Sequence, residues 1–353
     1  MKSPALKYSA IALITVGLFY LAFRGQNIQE SLAAIEHARI LPLLGGLLLM
    51  FLSHAVRAYR WQIVLRPLKT RTSFWRAFKA TIAGYGMNNL IPRSGEIVRP
   101  YLMSRGEGMP FAGVLASVVI ERLADVVALS ILIAFSFLTF QSRLTSAFPM
   151  LSGSTIPILA VMVVLLVGFV LMFFSERRTA QFIRLFVRRL PHRVAGKIEK
   201  IALDFSRGLQ GLDRRAALPL IVGTTGIWLL YGISMFVSLQ GFDDPAMSNI
   251  SISGAFLLLT LSGIAFTIPT PGASGTYHFF ISQGLAHIFG VPRDIALAFA
   301  IVTHALTYAT LTLFGIGILF REGISLGTAR DLKPQEENVL DANNSRMMAE
   351  SHG

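Results

Sequence analysis

The sequence predicts an all-α polytopic membrane protein with about six full spans plus two re-entrant helical hairpins in an inverted-repeat arrangement. Three observations predict it. The chain is 53% hydrophobic and 14% charged, with a mean hydropathy of +0.60, where soluble domains carry about 25% charged residues. Apolar stretches long enough to cross a bilayer, on the order of 20 residues, recur along it. Two more apolar stretches are interrupted by Pro and Gly, each reading as two half-length helices around a break.

The elements follow in order. Lys2 and Lys7 precede an apolar run from Tyr8 to Phe23 that lacks an Ala-x-Ala exit, so it is expected to be a retained first helix, not a cleaved signal. Full spans are expected near 7–24, 40–57, 111–140, 155–175, 217–240 and 294–320, and the broken stretches near 77–105 and 251–291. Between 178 and 212, Ile198, Ile201, Phe205, Leu209 and Leu212 recur at helical spacing among Arg and Lys, and Pro191 divides the segment. That pattern predicts amphipathic helices lying on the cytoplasmic leaflet. The polar, acid-containing tail 321–353 is expected to be disordered.

Loop charge sets the expected orientation. Segment 57–79 holds seven Lys/Arg (Arg57, Arg60, Arg66, Lys69, Arg71, Arg76, Lys79) and no acid, and 176–215 holds eleven against four acids. Segment 140–154 has only Arg143, and 241–253 has Asp243 and Asp244 with no base. The first pair is therefore assigned to the cytoplasm and the second to the outside. With Lys2 and Lys7 inside, the bookkeeping closes only if each broken stretch returns to the side it entered from. The first hairpin then enters from the cytoplasm, the second from outside, and both termini are cytoplasmic. The two breaks also look alike, Asn89 to Gly95 (NLIPRSG) against Phe266 to Gly272 (FTIPTPG). Paired broken segments in opposite orientation are the sequence sign of an inverted-repeat transporter with a site near the midplane. The repeats are placed at about 77–175 and 251–320.

Several chemistries are excluded. With no cysteine there is no disulfide, thiolate-ligated metal or thiol nucleophile. HExxH, GxSxG, Walker A and paired His-Asp metal spacings are absent, so no catalytic residue, cofactor or metal is assigned, and transport would run passively or on an ion gradient. The net charge of +13 lies between apolar spans, which points to anionic lipid headgroups and away from nucleic acid.

The candidate site residues are the ionisable groups at membrane depth, which cost several kcal/mol each unless they face a polar cavity or one another. Arg93 and Arg99 offer planar forks suited to phosphate, and Glu96 could hold an arginine or an amine headgroup. In the next helix Glu121 and Asp125 are i,i+4 and Arg122 and Asp125 i,i+3, on adjoining faces, about 15 Å in by helical rise from Phe111. Two acids for one arginine leave a partner missing, and Arg99 is the candidate. Two blander alternatives stand beside these: a turn whose charges are solvated at the interface, and an ion cluster that only fixes packing. In the second hairpin, Gly272 and Gly275 suit close backbone approach to a ligand or to the first hairpin, with helix N-termini behind them that could face an anion. His278, His304 and Tyr308 complete the set.

The runs Asn88 to Arg99 (NNLIPRSGEIVR), Glu121 to Asp125 (ERLAD) and Ile268 to Thr276 (IPTPGASGT), with Phe289-Gly290-Val291 after them, resemble the lysylphosphatidylglycerol synthase transmembrane-region family, the flippase-like domain of multiple-peptide-resistance-factor proteins. The resemblance covers about 7–320 and implies a single flippase-like transmembrane domain over 1–320 in a bacterial or archaeal plasma membrane (a cell inner membrane in some bacteria). It implies translocation of a membrane lipid with an anionic or aminoacylated phospholipid headgroup, or assistance to hopanoid or polyprenyl-linked glycolipid metabolism. A lipid-modifying intramembrane enzyme, an accessory protein of a lipid-synthesis complex and a homodimer are the alternatives left open. Glu96, Arg99, Glu121, Arg122 and Asp125 carry over as the functional residues. Where the family often has Glu and Arg, this chain has His278 and His304. The cytosolic aminoacyl-transferase domain of full-length synthases is not in this sequence, so lipid synthesis is not expected of it.

Overall fold

In the structure, a computed structural model, residues 4–147 and 214–324 are described, with scattered positions between 153 and 181. Apart from those positions, the expected span at 155–175, the amphipathic segment 178–212 and the tail beyond 324 lie outside the described residues.

Those residues form α-helices and one 3-10 turn, with no strand among them. The order is α1 (Pro4–Phe23), α2 (Ile28–Glu36), α3 (Ile40–Leu65), α4 (Phe74–Leu90), α5 (Gly95–Glu107), α6 (Phe111–Ala147), α7 (Arg214–Leu239), α8 (Pro245–Ser248), α9 (Ile252–Thr267), the turn Pro271–Ala273, α10 (Thr276–Phe289) and α11 (Arg293–Arg321). Among the described residues, four segments are long and apolar enough to cross a membrane, Ile40–Leu65, Phe111–Ser146, Ala217–Leu239 and Arg293–Arg321. The expected span at 7–24 is helix α1, which turns by 83° into α2, and the bent pair together would make a fifth.

Two sets of four helices share lengths and packing rules. α3 and α7 have 26 residues each, α4 and α9 have 17 and 16, and α5 and α10 have 13 and 14. In each set the long helix packs on the first half-helix, the half-helices pack on each other, and the second packs on the next long helix, α6 or α11. Across sets, α3 packs on α7, α4 on α11 and α9 on α6. The matching sets begin one helix earlier than the sequence-based repeats, at Ile40 and Arg214.

Local sequence makes each half-helix start and stop. Ser73 caps α4 by accepting from the Arg76 amide, and Ser251 caps α9 by accepting from the Gly254 amide. α5 ends at Gly108 (φ 67°) and α10 at Gly290 (φ 71°), both left-handed, each followed by an apolar residue and a proline, Met109-Pro110 and Val291-Pro292. Glycine adopts that conformation without steric cost, and the proline prevents continuation.

Each hairpin closes back on its own start. The Ser73 amide donates to Glu107 Oε1 at 2.9 Å, so the beginning of α4 meets the end of α5. In the other pair, Gly254 at the start of α9 lies against the Phe289 ring at the end of α10. The hairpin starts and ends lie on opposite faces of the bundle. Glu107 shares its face with Lys69 and Arg76. The loop after α7, leading to α9, shares its face with the start of α3, through Arg39 to Gly241 O and to Asp243. The tips meet inside: Gly272 lies against Asn89 and Tyr308. α4 and α11 cross where Gly86 and Gly315 touch, a contact that any Cβ would fill.

Outward faces are apolar, with Leu13, Leu41, Leu48 and Leu313 more than two-thirds exposed. That is the surface expected of helices solvated by lipid.

Candidate functional site

α3 carries His54, Arg57, Arg60 and Trp61 on its inward side, and α6 presents Glu121 and Asp125 one turn apart toward it. Arg57 Nη1 donates to Asp125 Oδ2 at 2.6 Å. Arg60 Nη1 donates to Asp125 Oδ1 at 3.1 Å, and Arg60 Nη2 to Glu121 Oε1 at 3.2 Å. A further bond from Arg60 Nη1 to Thr224 Oγ1, at 2.8 Å, ties α7 into the cluster.

From α5, Arg99 Nη2 reaches within 2.7 Å of Glu121 Oε2, an ion contact without the alignment of a hydrogen bond. The Arg99 guanidinium carbon lies 3.8 Å from the Trp61 ring centre, a cation–π contact, and Trp61 Nε1 donates to Ser117 Oγ at 2.8 Å. Side-chain exposure is 4% for Arg57, 0% for Arg60, 5% for Arg99, 1% for Glu121 and 12% for Asp125. Three buried guanidinium charges therefore face two buried carboxylates. Desolvating each ion costs several kcal/mol, which only mutual pairing and hydrogen bonding offset.

The sequence leaves one of the two acids without an arginine and names Arg99 as the candidate partner; in the structure Arg99 lies against Glu121. Arg122, at i,i+3 spacing to Asp125, is not ion-paired to it. Asp125 is held by Arg57 and Arg60, while Arg122 turns to Glu96 across α5, at 3.7 Å, with both side chains about two-fifths exposed.

The larger correction concerns Arg57 and Arg60. Counted as loop charge, they sit inside α3, which runs eight residues past the expected end at 57. The signal was present: His54, Arg57 and Trp61 continue the helical spacing, and the first stop is Arg66-Pro67. His54 was also missed. It is buried against Tyr85, ring centroids 4.5 Å apart, and neither ring nitrogen has a hydrogen-bond partner. Arg93 stays apart, exposed at the hairpin turn with φ 64°.

Beside the cluster lies a narrow polar crevice of about 10 Å³, lined by Thr81, Gly84, Tyr85, Asn88, Gly95, Arg99 and Arg122. Asn88 Oδ1 accepts from the Gly95 amide at 2.8 Å and fixes the turn from α4 to α5. Asn89, the next residue, bonds across to α11 beside the other tip. Its Nδ2 donates to Tyr308 O at 3.2 Å and Thr312 Oγ1 at 2.9 Å, and Tyr308 Oη donates to Asn89 O at 3.0 Å.

The second set of predicted residues gathers there. His304 Nε2 lies 2.8 Å from Gly272 O, and because a carbonyl only accepts, Nε2 carries the proton. The His278 and His304 rings are 4.7 Å apart, and Tyr308 is 5.5 Å from His304. Gly275 packs on Thr15 O and Phe19 of α1, and its amide donates to His278 Nδ1 at 3.4 Å. α1 thus covers the N-terminus of α10 that was expected to face an anion. No group of three His, Asp or Glu suited to a metal occurs among the described residues.

On the adjoining face of α4 runs an apolar groove of about 520 Å³ between α3, α4 and α11, with Phe51, Phe78, Ile82 and Phe314 in its walls and Lys79 at its edge.

Comparison with known proteins adds a family. The model of the lysylphosphatidylglycerol synthase TM region matches residues 9–315. Glycosyltransferase AglD of Haloferax volcanii is 24% identical over 321 residues, 82% of this chain and 51% of that protein. A UPF0104 membrane protein of Methanothermobacter thermautotrophicus is 26% identical over 282 residues, covering 73% and 76%. The UPF0104 membrane protein MJ1595 of Methanocaldococcus jannaschii is 22% identical over 326 residues, covering 87% and 93%. The chain thus spans about half the length of the Haloferax relative.

Proposed function

Because the chain belongs to the lysylphosphatidylglycerol synthase transmembrane-region family, we propose that it is a lipid translocase, moving a phospholipid or related polar lipid between the leaflets of an archaeal or bacterial plasma membrane. In this reading α4–α5 is re-entrant from the cytoplasm, α9–α10 is re-entrant from outside, and both termini are cytoplasmic. The observation that carries it is the buried cluster of Arg57, Arg60, Arg99, Glu121 and Asp125 beside a polar crevice. A chain keeps such ions at membrane depth where they line a path for a polar group. The crevice and the apolar groove occupy adjoining faces of α4, so a headgroup in one and an acyl chain in the other would be parts of one lipid.

About 10 Å³ holds roughly one water. Headgroup passage therefore requires α5 and α6 to part, and opening would break both the exposed Glu96–Arg122 pair and the buried Arg99–Glu121 contact.

The test is headgroup accessibility in proteoliposomes, at equal amounts of folded protein. Arg99→Ala and Glu121→Gln are each expected to slow exchange by about tenfold or more, about 1.4 kcal/mol or more, because each removes one charge of the paired cluster. Wild-type rates in both would remove the site assignment.

A second reading, an enzyme acting on a lipid-linked substrate, is favoured by the name of the Haloferax relative, a glycosyltransferase. Of the two acids that could serve as general base, Glu121 has both oxygens against guanidinium groups, while Glu96 is 45% exposed. Covalent change in lipid incubated with pure protein, abolished by Glu96→Gln, would select that reading.

A further inference from the structure

The charge inventory of the crevice says which kind of headgroup it recognises. Resting on the translocase reading, we propose that the site binds the phosphate of an anionic lipid and discriminates against headgroups carrying an added ammonium.

The argument starts from the acids. All four carboxylate oxygens of Glu121 and Asp125 lie within 3.2 Å of a guanidinium nitrogen. Glu96, the other acid beside the crevice, faces Arg122 at 3.7 Å. In this closed arrangement each of the three carboxylates already faces a guanidinium, the two buried ones at 3.2 Å or less. The donors are in the opposite condition. Arg99 is 4% exposed and lines the crevice; its Nη2 is taken up by Glu121, but its Nε makes no hydrogen bond, and Arg57 Nε is likewise unpartnered.

Buried guanidinium donors without acceptors are costly, and their planar forks match the oxygens of phosphate. The balance agrees. Three arginines against two acids leave one positive charge in the cluster, and Arg122 with Glu96 adds none. A single phosphodiester supplies one negative charge and several acceptor oxygens. Lysylation of the same lipid adds two positive charges, on the α-amine and the side chain, and reverses the headgroup's sign.

Trp61 under Arg99 makes the site readable. The experiment titrates full-length protein in neutral detergent, with Trp75→Phe and Trp228→Phe leaving Trp61 as the sole tryptophan. The ligands are short-chain phosphatidylglycerol, its lysylated form and inorganic phosphate. Native mass spectrometry of the wild type with the same lipids gives the order without substitutions. Phosphatidylglycerol is expected to shift Trp61 emission saturably and to bind about tenfold or more tighter than the lysylated form. Arg99→Gln should abolish the shift, and Arg99→Lys, which keeps the charge, should retain the preference at lower affinity.

Equal or tighter binding of the lysylated lipid, or wild-type affinity in Arg99→Gln, overturns the proposal and leaves the translocase reading standing. Inorganic phosphate binding as tightly as the lipid has the reverse effect: it keeps phosphate chemistry and removes the lipid, and with it the translocase.

Discussion

Glu121 has 1% exposure and lies against two arginines, Arg60 and Arg99. Its neutralisation would leave three buried cations facing one acid. Glu121→Gln is therefore expected to destabilise the protein by about 3–5 kcal/mol, the range for breaking a buried pair. Combined with Arg99→Gln, the loss should fall short of the sum of the two single changes by about 0.5 kcal/mol or more. Thermal unfolding in detergent, run as a double-mutant cycle, checks both, and strict additivity would mean that the 2.7 Å contact carries no coupling. Glu107, on the loop face, is a different case. Burial alone would raise its carboxyl pKa. The Lys69 hydrogen bond, the Ser73 amide and the charges of Lys69 and Arg76 outweigh that and hold it below the ordinary range. A lowered folded pKa contributes stability that is present above the unfolded value and lost as pH falls through the folded one. Wild type should accordingly lose stability below about pH 4.3 by more than Glu107→Gln does, as followed by unfolding across pH.

At the scale of elements, the crossing of α4 and α11 is set by two glycines. A Cβ on Gly86 would lie 2.8 Å from Leu311 O and 2.9 Å from Gly315 Cα, and backbone cannot swing aside. Gly86→Ala is expected to cost about 1–3 kcal/mol as overpacking. Gly317, with nothing within 4 Å, provides the control in the partner helix α11, two residues past Gly315, where alanine should be neutral or slightly stabilising by propensity. Equal melting temperatures for the two variants would refute the close crossing. The hairpin boundaries were legible in sequence because they depend on local chemistry: Ile91-Pro92, Ile268-Pro269 and the glycine-proline stops are short-range signals. The true end of α3 was masked by its arginines. Hydropathy scores a guanidinium as a loop residue, and only the facing acids of α6 make its burial tolerable.

For the whole molecule, the absence of native cysteine makes topology directly testable. Arg71 and Asp243 are exposed on opposite faces of the bundle. Arg71→Cys should react with a membrane-impermeant maleimide only from the cytoplasmic side, and Asp243→Cys only from outside. Labelling of both from one side would refute the orientation. The proposed orientation does not rest on Arg57 and Arg60: Arg66, Lys69 and Arg71 lie between α3 and α4 with no acid among them, and Arg76 and Lys79 are exposed in the first turns of α4.

The sequence by itself determined that this chain is helical and membrane-bound, where its half-helices break, and that one of the two acids Glu121 and Asp125 needed a partner from another element, with Arg99 the candidate. Each of those follows from composition, short-range turn chemistry or the cost of an unpaired charge in lipid. Tertiary structure alone decided the rest: that Arg57 and Arg60 take Asp125, that Arg122 is left to Glu96, that Asn88 fixes its own turn while Asn89 bonds across to α11, and that α1 covers the start of α10. Apart from the Asn88 turn and the Arg122–Glu96 pair, these are contacts across 60 or more residues of chain. Local spacing can show that a buried ion needs a counter-ion, but packing chooses which one arrives.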